Sequence, residues 1–131
     1  MDLLNILSIE KSKALLVTSA NSGDGKSFVS VNLSIAFAQG LKNTVYVDAS
    51  LRDEAGPNYF QLPNDLGITS YLSGLAQLQD IIQPTKVPKL SFISTGPISS
   101  NPALLLSSTK FTRLMEELKK QFDIIIIDTP P

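Results

Sequence analysis

The 131-residue chain has an ordinary globular composition, with 43% hydrophobic and 18% charged residues and a net charge of -1 at pH 7. Eleven basic residues against twelve acidic ones give no electrostatic signal for nucleic acid or an anionic membrane, so we expect no nucleic-acid partner. The absence of cysteine and histidine excludes disulfides, thiolate metal sites and imidazole chemistry. Any reaction must use carboxylate, hydroxyl, ammonium or backbone groups.

The apolar runs and the N-terminal segment carry no targeting signal. No apolar stretch approaches the roughly 20 residues that span a bilayer. Residues 1–13 lack both a basic n-region and a small-residue cleavage site. We therefore expect a cytoplasmic protein, with residues 1–131 forming part of a single domain.

The first half of the chain alternates strands and a helix. We predict a buried strand at 14–18, a helix at 27–40, a second strand at 43–50 and a loop at 53–65. The helix carries an apolar stripe through Val31, Ile35 and Ala38, and Gly40 is placed to end it. The second strand ends at Asp48.

The second half continues the alternation. We predict short helical pieces at 67–74 and 75–83, a third strand at 89–95, a loop at 96–102, a helix at 107–121 and a last strand at 122–131. Pro84 and Pro88 are expected to close the second short helix. Candidate caps of the last helix are Ser107, Ser108 and Thr109. Leu114 and Leu118 share one face of that helix.

The order of these elements predicts an α/β fold with a mainly parallel sheet flanked by helices, because parallel strands need long crossover connections. Ligands of such sheets bind at the carboxyl ends of the strands. The loops after Thr18, Val47 and Ile127 all lie at that edge.

The stretch SANSGDGKS, residues 19–27, has the parts of a phosphate-binding loop. Gly23 and Gly25 allow successive N–H groups to face one anion at the positive end of a helix. Lys26 adds an ammonium for the phosphates, and the Ser27 hydroxyl is a ligand for Mg²⁺. The nucleotide-binding set is Ser22, Gly23, Asp24, Gly25, Lys26, Ser27 and Phe28.

The match to the pattern G-x-x-x-x-G-K-[ST] is imperfect, because Ala20 occupies the first glycine position. The dinucleotide pattern G-x-G-x-x-G fails at Phe28. An ordinary strand-to-helix turn is the alternative, and the GKS triplet between a strand and a helix favours the phosphate site.

Four consecutive isoleucines precede Asp128 and predict a strand buried on both faces. Taken alone, the acid could equally be a solvated strand end. Together with the phosphate loop, it is typical of the acid that holds Mg²⁺ in P-loop enzymes.

Five segments, LLVTSANSGDGKSFVSVNLSIAFAQ, TVYVDASLR, GITSYLSG, ISTGPISSNPALLLSS and FDIIIIDTPP, together resemble the bacterial protein-tyrosine kinases of the capsular exopolysaccharide family, the CpsD/CapB-like kinases. The resemblance runs from about residue 13 and implies a P-loop NTPase fold related to MinD and ParA, with ATP and Mg²⁺ as cofactors. It also implies autophosphorylation of a C-terminal tyrosine tail that regulates polysaccharide biosynthesis and export. A membrane-bound activator, or chain-length regulator, would recruit the kinase to the inner membrane face, and the full-length protein would self-associate.

The resemblance assigns roles to individual residues. By resemblance, the catalytic residues are Lys26, Asp48 and Asp128. The expected metal ligands are Ser27, Asp48 and Asp128. Asp48 corresponds to the first acid of the family's D-x-D-x-R motif, and Arg52 corresponds to its arginine.

Departures from the family pattern shape the expectations. Ser50 replaces the second acid of D-x-D-x-R, which counts against full kinase activity, and Leu104 replaces a common glutamate. The scattered tyrosines, Tyr46, Tyr59 and Tyr71, are expected to be packing residues. The family continues beyond the last strand, so we expect the C-terminal part of the fold, with its tyrosine tail, and the N-terminal self-association helix to be missing here.

Two other functions stay open. A MinD/ParA-type ATPase would carry a signature lysine where this chain has Asn21. A non-catalytic nucleotide-binding or scaffold fragment would be consistent with Ser50.

Overall fold

Six strands form one sheet with four helices in the part of the chain that the computed structural model describes, residues 4–9, 14–20, 26–50, 60–97 and 108–129. The strands are β1 Leu4–Ile9, β2 Ala14–Ala20, β3 Thr44–Asp48, β4 Gln83–Pro84, β5 Leu90–Ile93 and β6 Ile124–Thr129. The helices are α1 Lys26–Gln39, α2 Ile68–Leu72, α3 Leu78–Ile81 and α4 Thr109–Gln121. None of these helices is long and apolar enough to cross a membrane.

The strand order across the sheet is β1-β2-β6-β3-β5-β4. The four central strands, β2, β6, β3 and β5, run parallel, and the two edge strands, β1 and β4, run antiparallel to their neighbours. This arrangement confirms the predicted α/β fold with a mainly parallel sheet. The last strand, β6, inserts between β2 and β3, so both of its edges are paired.

Alternate residues of β3 and β6 enter two separate cores, because successive side chains of a strand point to opposite faces. On one face, α1 packs through Val31 and Ala38 against Tyr46, Ile124 and Ile126. The opposite face is covered by α2, α3 and α4. Its buried residues from the two strands and α4 are Val45, Val47, Ile125, Ile127, Leu114, Met115 and Leu118.

The long helices follow the sequence closely. α1 ends one residue before Gly40, as predicted, but the residue with the left-handed backbone is Leu41, whose φ is 67°. Of the three candidate caps of α4, Ser108 is the one used, since its Oγ accepts a hydrogen bond from the Phe111 N–H at 3.3 Å.

Two sheet edges differ from the prediction. β1 was not expected, and it pairs with β2 along its full length of six residues. The predicted helix at 75–83 is shorter, because the chain leaves α3 after Ile81 and forms β4. Pro84 therefore lies in an edge strand, where a residue without an N–H group is tolerated, rather than closing a helix.

Candidate active site

The two predicted metal-binding acids lie side by side at the carboxyl edge of the sheet. Asp48 is the last residue of β3, and it pairs in register with Asp128 of β6. Neighbouring strands lie about 4.8 Å apart. Both acids share the strand parity of Tyr46 and Ile126, which places them on the sheet face that α1 covers.

The strand that leads into the predicted phosphate loop lies on the other side of Asp128. Ser19, near the end of β2, pairs in register with Asp128, and α1 begins at Lys26. The backbone therefore brings the start of the phosphate loop and both acids to three adjacent strands. The arrangement follows from the insertion of β6 between β2 and β3.

The phosphate loop itself lies outside the described residues, which applies to Ser22, Gly23, Asp24 and Gly25. The backbones of Lys26, Ser27 and Phe28 form the first turn of α1, as the loop-to-helix pattern predicts, but their side chains lie outside the described part. Arg52, Tyr59 and Leu104 are also outside it. The roles assigned to these residues stay predictions.

Asp128 is almost fully buried, with 1% of its surface exposed. The Tyr46 hydroxyl donates a hydrogen bond to its Oδ2 at 2.9 Å. Tyr46 is itself buried in the core under α1, so its predicted packing role is confirmed. The hydrogen bond to Asp128 is an additional role, which sequence reasoning missed.

Asp48 is held by Ser50, which lies two residues further along the chain. The Ser50 hydroxyl donates to Asp48 Oδ1 at 2.6 Å, and the Ser50 N–H donates to the same oxygen at 3.2 Å. Ser50 is buried, and it is the donor in both of its hydrogen bonds to Asp48. A carboxylate at this position would instead place a second negative charge beside Asp48.

The backbone at Asp48 is fixed from the neighbouring strand. Thr95, which follows β5, donates its hydroxyl to the Asp48 carbonyl at 2.8 Å. The backbone carbonyl of Thr95 accepts a hydrogen bond from the Thr69 N–H at 3.0 Å. This support was not predicted either, and the only sequence signal for it is the run of small hydroxyl residues that follows β5.

Two glycines allow this support to form. A Cβ on Gly67 would collide with the Ser94 carbonyl oxygen and the Gly96 nitrogen, so the backbones of α2 and of the segment after β5 approach too closely for any side chain. Gly96 has a φ of 82°, and its N–H donates to Asn64 Oδ1 at 2.7 Å. The close approach lets the Ile68 N–H donate to the Ser94 carbonyl at 2.8 Å, which joins the start of α2 to the segment that contacts Asp48.

The chemistry available at this edge is that of oxygen ligands. Among the described residues, no group of three or more histidine, cysteine, aspartate or glutamate side chains could hold a metal by itself. Two adjacent carboxylates do fit Mg²⁺, because this ion commonly binds through one or two carboxylates together with phosphate oxygens and water. The described donors therefore suit a metal that arrives with a phosphate ligand.

Comparison with known proteins identifies the fold and its relatives. The ParA family model, described as NUBPL iron-transfer P-loop NTPase, matches residues 10–131. Tyrosine-protein kinase CpsD of Streptococcus agalactiae is 40% identical over 123 residues, which are 93% of this chain and 54% of that protein. The chain thus spans about half the length of this curated relative.

Solved structures give the same picture. The kinase domain of the Escherichia coli tyrosine kinase ETK superposes with a TM-score of 0.84 at 31% identity, over 94% of this chain and 49% of that one. MinD of Pyrococcus horikoshii, solved with Mg-ADP, shares the fold with a TM-score of 0.63 at 23% identity, over 88% and 47% of the two chains. The strand that enters the predicted phosphate loop, the acid pair beside it and these likenesses agree: the chain belongs to the ParA family of P-loop NTPases, and it is similar to the bacterial tyrosine kinases CpsD and ETK.

Proposed function

We propose that residues 1–131 are part of one nucleotide-binding domain, in an ATP-dependent protein-tyrosine kinase that regulates capsular or exopolysaccharide biosynthesis and export. The observation that carries the proposal is the in-register pair Asp48 and Asp128, next to the strand that enters the phosphate loop. The kinase assignment is supported by the names of CpsD and ETK, which are tyrosine kinases.

In this proposal, the N–H groups around Gly23 and Gly25 and the Lys26 ammonium bind the phosphates of ATP. Ser27, Asp48 and Asp128 hold Mg²⁺, which supplies charge neutralisation on the phosphates. Phosphoryl transfer depends mainly on positioning and electrostatic stabilisation. The main contribution of these residues is therefore to fix the phosphates and the acids against one another.

The resemblance also supports a setting for the kinase. We place it in the cytoplasm, at the inner face of the membrane, where a membrane-bound activator or chain-length regulator of polysaccharide export recruits it. Self-association of the full-length protein would present the tyrosine of one copy to the site of another.

The test is to incubate the full-length protein with Mg·ATP, with and without the cytoplasmic segment of its activator. Bound nucleotide, released phosphate and phosphotyrosine are measured on the same sample, and the Lys26→Met variant serves as the inactive control. We expect phosphotyrosine in the parent, increased by the activator segment, and none in the variant.

A second candidate, a MinD-type ATPase, is favoured by the ParA family match. It predicts phosphate release to water without phosphotyrosine. Nucleotide binding with neither product would instead support the non-catalytic scaffold, for which the serine at position 50 is the argument. Either result would overturn the kinase proposal.

A further inference from the structure

We propose that Tyr46 is a positioning residue for the metal site, whose hydroxyl holds the Asp128 carboxylate in place for a divalent cation. The inference rests on the proposed function, since it assumes that Asp128 binds Mg²⁺ together with a nucleotide. The structural observation behind it is the 2.9 Å hydrogen bond from the Tyr46 hydroxyl to Asp128 Oδ2.

Strand geometry explains how the two residues meet. Tyr46 pairs in register with Ile126, and Asp128 lies two residues further along β6, on the same face of the sheet. Two residues along a strand cover roughly 6.6 Å, a gap that the length of a phenol side chain can bridge. The hydroxyl therefore reaches forward along the sheet, from the core under α1 to its carboxyl edge.

The ring that carries this hydroxyl is fixed by two other aromatic residues. Phe92 stacks on it with ring centroids 5.9 Å apart and an interplanar angle of 12°. The ring of Phe60 also packs against it, with a centroid separation of 5.9 Å, and the centroids of Phe60 and Phe92 are 4.9 Å apart. Because the ring is held from two sides, the position of the hydroxyl is set by packing before any ligand arrives.

Packing alone does not account for the hydroxyl. Tyr46 lies in an apolar cluster with Leu90, Phe92 and Ile126, where a phenylalanine would fill the same space. A hydroxyl taken out of water must recover a hydrogen bond, and Asp128 provides the acceptor. A hydrogen bond to a carboxylate is also stronger than one between neutral groups. Residues that orient metal-binding side chains in this way commonly control metal affinity.

The test compares Tyr46→Phe with Tyr71→Phe. Both remove one phenol hydroxyl, but Tyr71 packs against the core on the opposite face of the sheet. Binding of a fluorescent ADP to each purified protein is titrated in EDTA and at a series of Mg²⁺ concentrations. We expect Tyr46→Phe to raise, by about tenfold, the Mg²⁺ concentration that gives half of the maximal enhancement of ADP binding. The ADP affinity in EDTA should stay unchanged. Tyr71→Phe should match the parent.

The outcomes separate this inference from the function on which it rests. If the parent binds no ADP, the nucleotide function fails, and the role of Tyr46 fails with it. If the parent shows Mg²⁺-dependent binding and Tyr46→Phe shares it, only the Tyr46 inference is overturned. If Tyr46→Phe loses ADP affinity equally in EDTA and in Mg²⁺, the inference is also overturned, because general structural damage would lower both affinities alike.

A double-mutant cycle covers the case in which Tyr46→Phe is too unstable for titration. Urea unfolding is measured for the parent, Tyr46→Phe, Asp128→Ala and the double variant, because alanine, unlike asparagine, leaves no acceptor for the Tyr46 hydroxyl. If Tyr46 acts through Asp128, the shift in the urea midpoint caused by Tyr46→Phe should be clearly smaller in the Asp128→Ala background. Equal shifts in the two backgrounds would overturn the proposal.

Discussion

Asp48 and Asp128 occupy paired positions on neighbouring parallel strands, and a hydroxyl of the chain donates a hydrogen bond to each carboxylate. Like charges directly opposite one another destabilise a sheet, so this pairing costs stability unless a cation or hydrogen-bond donors offset it. Ser50 and Tyr46 are such donors. The arrangement keeps two carboxylates together at one edge of the sheet, as the proposed Mg²⁺ site requires.

We expect Asp48→Asn and Asp128→Asn each to raise the Mg²⁺ concentration needed for half-maximal enhancement of nucleotide binding by about tenfold or more. Each change removes a charged ligand that Mg²⁺ prefers. The measurement is ADP affinity as a function of Mg²⁺ concentration. Asp65→Asn, at an exposed loop position, is the control and should behave as the parent. An acid whose replacement leaves the Mg²⁺ response intact would lose its assigned role.

Replacing Lys26 by methionine should lower ATP affinity about tenfold or more, because a charge-assisted hydrogen bond to phosphate contributes roughly 1.5–3 kcal/mol. The fold should survive, since the phosphate-loop assignment places the Lys26 ammonium at the ligand rather than in the core. Titration of the folded variant checks the affinity, and thermal unfolding checks the fold. Lys42→Met, at an exposed lysine just after α1, is the matched control. Unchanged ATP binding by Lys26→Met would contradict the phosphate-loop assignment.

The sequence alone was sufficient for the central strands, the long helices and the placement of the two acids at one edge of the sheet. Isoleucine runs and helical stripes are local signals, and the carboxyl ends of parallel strands must share one edge. The lateral strand order was not predictable in this way. It depends on pairing between β6 and strands about 80 and 110 residues earlier, and no local pattern reports such a pairing. For the same reason, the sequence could predict that Asp48 and Asp128 lie at the same edge of the sheet, but not that their strands are neighbours.

The hydroxyl groups around the acids were harder to predict than the acids. The sequence marks Ser50 only as a serine in place of a second acid, and it gives no sign of a role for Tyr46 beyond packing, since tyrosine is common in strands and serine in the turns that follow them. Their roles depend on side-chain directions across two strands. The one available signal was spacing, because Tyr46, Asp48 and Ser50 alternate along the chain, and residues two apart in a strand share a face.

Gly67→Ala should destabilise the protein by about 1–3 kcal/mol, because the new Cβ would overlap the backbone of Ser94 and Gly96. Displacing that segment should also disturb Thr95, which supports the Asp48 carbonyl, and so weaken the Mg²⁺ response. Urea unfolding measures the first effect and ADP titration the second. Gly40→Ala is the control, because a Cβ there would meet its nearest atom at an ordinary 3.4 Å. Equal stability of the two variants would contradict the close approach seen at Gly67.

Ser50→Ala should cost about 1–2 kcal/mol of stability, because it removes the 2.6 Å hydrogen bond to Asp48 while leaving the weaker one from the backbone N–H. It should also raise the Mg²⁺ concentration needed for nucleotide binding, since Asp48 is then less firmly held. Ser50→Thr keeps the hydroxyl and should restore both properties. In an Asp48→Asn background, the effect of Ser50→Ala on the Mg²⁺ response should disappear, because the carboxylate that Ser50 orients is gone. If Ser50→Ala changes the Mg²⁺ response equally in both backgrounds, Ser50 acts on the site by a route other than Asp48.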